Sequence, residues 1–120
     1  MPTEAHMKSV LQSYIDGFAA GDADSIIALF AEDAVIEDPI GTPELHGLEA
    51  IGEFYRNAVA TGAKLTLDAP IRASSGAKAA MAFTVEVSGM RIGVIDTMTF
   101  NDEGKVIRME AVWGPEDVAV

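Results

Sequence analysis

Acids that fall on the apolar side of a residue pattern are the groups best placed to do chemistry, and this chain carries them at Asp38 and Asp96. In Ala34-Val35-Ile36-Glu37-Asp38-Pro39, residues Ala34, Ile36 and Asp38 alternate with Val35 and Glu37, so a strand here has an apolar, apolar, acidic face. Pro39 biases Asp38 toward extended backbone and ends the ladder, which leaves the carboxylate where a strand hands over to a loop. Asp-Pro is also a common turn opener, and on this stretch alone a surface turn is the simpler reading. Further on, Ile92, Val94, Asp96, Met98 and Phe100 share one face of a second strand. A buried carboxylate is costly while charged, so it neutralises or finds a partner. The competing reading is an edge strand with Asp96 turned to water. Tyr14 adds a third polar group, inside an apolar helical stripe, where its hydroxyl meets either a backbone partner or a ligand. A base and two hydrogen-bond donors converging on a carbonyl suit removal of a proton from the neighbouring carbon.

The elements that must position these groups follow from periodicity. Thr3 is a candidate N-cap, and Met7, Val10, Leu11, Tyr14, Ile15 and Phe18 then recur at helical spacing until Gly21. Asp22 caps a short second helix carrying Ile26, Ile27, Leu29 and Phe30. The Asp38 strand follows, then a turn-rich loop over 41–47, then a third helix over 48–60 with Leu48, Ile51, Tyr55 and Val59 on one face and Phe54 beside them. From Lys64 the period changes to two, which predicts strands near 64–74, 78–88, 92–101 and 105–113. Turns are expected at Ser74-Ser75-Gly76, Gly89-Met90 and Asn101-Asp102-Glu103-Gly104. Met81, Phe83, Val85 and Val87 share a face of one strand, and Ile107, Met109, Ala111 and Trp113 share a face of another. These residues suit a core or the wall of a cavity for a flat apolar ligand. Helices followed by an antiparallel meander predict an α+β layer fold, with a pocket between the layers.

The totals set limits. A chain of 120 residues is expected to form a single domain spanning 1–120, and 49% hydrophobic residues argue against disorder. A net charge of −11 argues against nucleic acid and anionic membranes as partners. The absence of cysteine removes disulfides, thiol nucleophiles and thiolate metal sites. The N-terminus lacks a basic segment followed by an apolar run, so a cytoplasmic location is expected.

Taken together, "LQSYIDGFAAGD" with Tyr14, "ALFAEDAVIEDPIG" with Asp38, "HGLEAIGEFYRN", "IRASSGAKAAMAFTVEV", "VIDTMTF" with Asp96 and "MEAVWG" with Trp113 resemble a ketosteroid isomerase (steroid Δ5-isomerase). The resemblance covers about residues 5–115 and implies a cone-shaped fold of the nuclear-transport-factor-like superfamily. Such a fold holds three N-terminal helices in the concave face of a curved, mostly antiparallel sheet. It further implies a homodimer, no cofactor, and an apolar steroid as substrate; the isolation of His6 and His46 argues against a metal. Asp38 would be the base, with Tyr14 and a neutral Asp96 as oxyanion donors; a carboxylic acid kept neutral as a donor is the known device of this family. Phe18, Phe54, Tyr55, Met81, Phe83, Met109 and Trp113 would contact the rings or support them, with Tyr55 behind Tyr14. Some members of that family have a further tyrosine where this chain has Phe30, which shortens any phenol network.

Other signals carry less. His6 and His46 are isolated, and Glu32, Asp33 and Glu37 read as solvated surface acids. A polyketide-cyclase-like enzyme, an epoxide hydrolase, or a non-catalytic binding module remain as alternatives on the same fold. An epoxide hydrolase would need an arginine supporting an acid pair, and Arg72 is the candidate.

Overall fold

The computed structural model describes residues 1–120 and begins with an amphipathic helix, α1 (Glu4–Ala20). The Thr3 hydroxyl accepts from the His6 N–H at 3.0 Å, and Gly21 ends the helix in the left-handed conformation, φ +66°. Helix α2 (Ala23–Ile27) is capped by the Asp22 carboxylate, which accepts from the Ser25 N–H at 3.1 Å. It is shorter than its apolar pattern predicts. Leu29 and Phe30 leave it, because the Leu29 carbonyl accepts the Val106 N–H at 3.0 Å and Phe30 opens strand β1 (Phe30–Glu37). Pairing with a distant strand has overridden a local helical pattern.

After β1 come β2 (Leu45–His46), inside the segment expected to be loop, and α3 (Gly47–Ala60). The strand expected over 64–74 is two strands, β3 (Lys64–Leu67) and β4 (Arg72–Ala73). Pro70 lacks an N–H and interrupts them, while both pieces pair with β5 (Lys78–Val87). The next turn sits one residue earlier than expected: Ser88 and Gly89 both take positive φ, and Met90 already begins β6 (Met90–Phe100). Strand β7 (Val106–Val112) completes the meander. A one-residue bulge at its start buries Val106 completely and leaves Ile107, the expected inward residue, only partly covered. A short 3₁₀ turn leads to β8 (Val118–Ala119), which returns to pair with β6.

The sheet has eight strands, ordered β2-β1-β7-β6-β5-β3, with β4 on β5 and β8 on β6. All its pairings are antiparallel except that of β1 with β7, which is parallel and makes the sheet mixed. The three helices cover one face of it, and Met7, Leu11, Ile26, Ile51, Met98 and Met109 are fully buried between the layers. No helix is long and apolar enough to cross a membrane.

Candidate active site

Between the helices and the β5–β6 hairpin lies a cavity of about 300 Å³ whose walls are overwhelmingly apolar. Tyr14 and Phe18 reach it from α1, Phe54 and Tyr55 from α3, and Phe83, Val85 and Val87 from β5. Strand β6 contributes Ile92, Val94 and Asp96, while Asp38 and Trp113 enter just beyond the ends of β1 and β7. Register explains the wall: Phe83 pairs with Val94 and Val85 with Ile92. From Asp96 to Ile92 the strand advances roughly 13 Å at the usual rise per residue. A flat apolar ligand can therefore lie along the hairpin with a polar end against Asp96. A larger open groove of about 680 Å³, edged by Asp24, Glu32, Asp33 and Lys105, lies elsewhere and holds no buried titratable group. The smaller apolar cavity is the one with chemistry in it.

Asp96 is only 1% exposed, on a strand paired on both sides, so the edge-strand alternative does not apply. One of its oxygens, Oδ2, has no hydrogen-bond partner. Burial, reinforced by the nearby Asp38 charge, pushes its carboxyl well above the usual carboxylate range. Burial of this kind favours the protonated form, which has an O–H to donate.

Asp38 differs in every respect but its charge type. It lies one residue past β1, half-buried, and the Trp113 Nε1–H donates to its Oδ1 at 3.0 Å. Burial raises its pKa above the ordinary carboxylate value, and the indole hydrogen bond works against that rise. The peptide bond from Asp38 to Pro39 is cis. Trp113 reaches this position because the chain leaves the sheet after Val112, and Asp117 closes the excursion by accepting the Gly114 N–H at 2.9 Å.

Tyr14 and Tyr55, both buried, share a hydroxyl–hydroxyl hydrogen bond of 3.1 Å. Hydroxyl hydrogens rotate, so when Tyr55 donates, the Tyr14 proton is free for a ligand. Burial, with Tyr55, Asp96 and Asp38 nearby, holds the Tyr14 phenol well above its ordinary pKa, so it stays protonated. Edge-on packing fixes both rings: Tyr14 on Tyr55 at 5.5 Å and Phe54 on Tyr55 at 5.0 Å between centroids. Phe30 lies 5.6 Å from the Tyr55 ring and contributes no hydroxyl.

The structure thus gathers Tyr14, Asp38, Asp96, Phe18, Phe54, Tyr55, Phe83 and Trp113 around one cavity. Met81 and Met109 are not part of its lining. They are 2% and 0% exposed and belong to the core, so their expected contact with substrate rings gives way to packing. The physical reason is curvature: the same inward faces are covered by helices along one part of the sheet and left open along another. Val85, Val87, Ile92 and Val94 line the cavity instead. Their alternation marked the face, but alternation carries no information on where along a strand the core ends. Arg72 lies outside the cavity, its guanidinium donating to the Pro70 carbonyl at 2.8 Å. Glu37 is another correction: its side chain is only 17% exposed and is held by Arg108 at 3.3 Å, so it is no freely solvated acid.

Residues 11–109 match the SnoaL-like domain family model. The chain belongs to that family, within the NTF2-like superfamily. It is 36% identical to the steroid Delta-isomerase of Nocardioides simplex, over 97% of this chain and 96% of that protein. It is 26% identical to the epoxide hydrolase LasB of Streptomyces lasalocidi over 98% of this chain, spanning 44% of that protein's length. Among solved structures, the epoxide hydrolase/cyclase-like enzyme SalBIII, described in pyran ring formation in the polyether salinomycin, superposes with a TM-score of 0.88 at 28% identity, covering 95% of both chains. The expected cone-shaped α+β fold is the fold of this SnoaL-like chain, and its named relatives are enzymes.

Proposed function

We propose that this protein is a ketosteroid isomerase, moving the double bond of a 3-oxo-Δ5-steroid into conjugation with the ketone. The observation that carries this reading is a half-buried carboxylate, held by an indole N–H, in one apolar cavity with a buried carboxyl and a buried phenol. The ketone oxygen would sit against Tyr14 and Asp96. Asp38 would take a proton from the carbon between the carbonyl and the isolated double bond, its C–H electron pair flowing onto the oxygen to give a dienolate. Tyr14 and neutral Asp96 would each donate a hydrogen bond to that developing charge, in a cavity where few solvent dipoles compete. Asp38, now protonated, would return the same proton two carbons along. Atoms and charges then balance with no cofactor.

The raised pKa of Asp38 suits this task, because a base nearer the working pH transfers a proton to and from carbon with less mismatch. The apolar wall of Phe83, Val85, Ile92 and Val94 supplies ring contacts, and Trp113 adds an aromatic edge. The 36% identity to a steroid Delta-isomerase along nearly the whole chain supports the same substrate class. An epoxide hydrolase relying on an arginine-supported acid pair fits less well, since Arg72 is committed outside the cavity.

Mixing the protein with 5-androstene-3,17-dione tests the proposal. The conjugated enone absorbance should grow with enzyme concentration. Saturable steroid binding without enone formation would identify a binding module instead.

A further inference from the structure

Glu37 stands next to Asp38 in sequence and behind it in space. Strand alternation turns Ile36 and the cavity acid one way and Glu37 the other, onto the outer face of the sheet. There both of its carboxylate oxygens are engaged. Oε2 accepts the Gly41 N–H at 3.0 Å, and Oε1 meets the Arg108 guanidinium at 3.3 Å.

The first of these bonds closes a loop around the base. It runs from the Glu37 side chain to the Gly41 backbone and encloses Asp38, Pro39 and Ile40. Gly41 has φ +103°, a conformation that side chains disfavour, so the N–H is aimed by a turn built for glycine. On one side of the loop, Glu37 is paired with Glu110 in the β1–β7 ladder. On the other, the Ile40 N–H donates to the Ala111 carbonyl at 2.9 Å. Arg108 bridges the arrangement, holding Glu44 at 2.6 Å and Glu110 at 3.4 Å as well. Glu37 and Glu110 would otherwise face each other as like charges across the ladder.

We infer that Glu37 is a positioning residue for Asp38: from the far side of the sheet, its carboxylate fixes the loop that carries the base. The inference rests on the proposed role of Asp38 as base. It assigns a task to a residue that touches neither the cavity nor the substrate. Geometry makes the task matter, because a displacement of about 1 Å at a reacting group can cost roughly 10²-fold in rate.

Two nearly isosteric variants test it. Glu37→Gln loses the charge but keeps a carbonyl oxygen for the Gly41 N–H, whereas Glu37→Met fills the same space and accepts nothing useful. Met should lower kcat by about 10- to 100-fold with KM changed by roughly twofold or less, and Gln should restore most of the loss. A second readout does not depend on turnover. Trp113 is the only tryptophan and donates to Asp38, so its fluorescence against pH follows the titration of that carboxylate. The other titratable groups lining the cavity around Asp38 are Asp96 from β6, Tyr14 from α1 and Tyr55 from α3, and all are unaltered in both variants. In Glu37→Met the fluorescence midpoint should move to higher pH, since a looser loop weakens the indole bond that favours the charged form. In Glu37→Gln it should stay at the wild-type value. Wild-type kcat and an unmoved Trp113 titration in folded Glu37→Met would overturn the inference. So would equal losses in Met and Gln, which would assign the effect to charge alone. If the wild-type protein converts no ketosteroid, the proposed reaction fails, and the Trp113 titration alone decides the positioning role.

Discussion

On the outer face of the sheet, Arg108 gathers Glu37, Glu44 and Glu110 within 3.4 Å; on the inner face, Asp96 is 1% exposed and has no cation beside it. The two faces belong to the same strands. Arg108 lies three residues along β7 from Ala111, the residue paired with Asp96. Outside, a guanidinium hydrogen bond pulls the Glu44 carboxyl below its ordinary range. Inside, burial pushes the Asp96 carboxyl far the other way. An acidic side chain therefore has no fixed role. Its partner and its access to water decide which of its two protonation states is favoured. Asp38 lies between these extremes, half-buried and supported by a neutral N–H, as the proposed role of base requires.

The largest effect expected of any single change falls on that intermediate acid. Asp38→Asn keeps the shape and removes the proton acceptor, so kcat should fall by about 10² to 10⁴-fold, while steroid affinity survives. Near wild-type turnover in this variant would break the comparison at its centre.

Asp96 separates a neutral donor from a second anion. Asp96→Leu fills the space without donating and should lose about 10² to 10³-fold in kcat, whereas Asp96→Asn offers an N–H and should retain part of that. Equal kcat values for Asn and Leu, with intact circular dichroism, would refute the donor role. Tyr14→Phe belongs to the same class: it should lower kcat by a similar factor, about 10² to 10³-fold, and leave KM little changed, because the bond strengthens as charge reaches the oxygen. A change in KM alone would make Tyr14 a binding residue.

Stability against pH sharpens the contrast through its sign. Asp96 has a folded-state pKa raised above its unfolded value, so between the two the native state holds a proton that the unfolded chain has released. Stability should therefore fall as pH rises from the unfolded carboxylate range toward that raised value. Asp96→Leu should flatten this slope in denaturant titrations at several pH values; an unchanged slope would mean that Asp96 is ionised in the fold. Glu44 has the opposite sign and the smallest effect. Its lowered pKa gives a stabilisation present above the unfolded carboxylate range and lost as pH falls through the folded one. Glu44→Gln should lower Tm only slightly at neutral pH, as exposed ion pairs do, and leave kcat unchanged. A large loss of Tm would show that the outer network matters more than its exposure implies.

Much of this contrast is legible in the sequence. The alternation around Asp96 marked an acid on an apolar face, and an acid there has few options other than neutrality or a partner. Thr3, Gly21 and Asp22 announced the helix ends by chemistry that acts within a few residues. Phe30 fits a helical pattern, and nothing local reveals that the Leu29 carbonyl accepts from the Val106 N–H. Glu37 reads as free surface in the sequence because its partners, Arg108 and the Gly41 N–H, are defined by strand pairing and a turn.

The sequence by itself determined most of the residues that face inward and most turns and caps, since these depend on periods of 2 and 3.6 and on contacts between near neighbours; the bulge that buries Val106 in place of Ile107 lay outside those periods. It also carried the family, through segments spread along the chain. Only the tertiary structure decided which inward residues are core and which are cavity. Met81 and Phe83 share one face of β5, two residues apart, yet only Phe83 lines the space around Tyr14, Asp38 and Asp96. Helix placement over a curved sheet sets that boundary, and it arises from contacts between residues far apart in the chain, which no local period encodes.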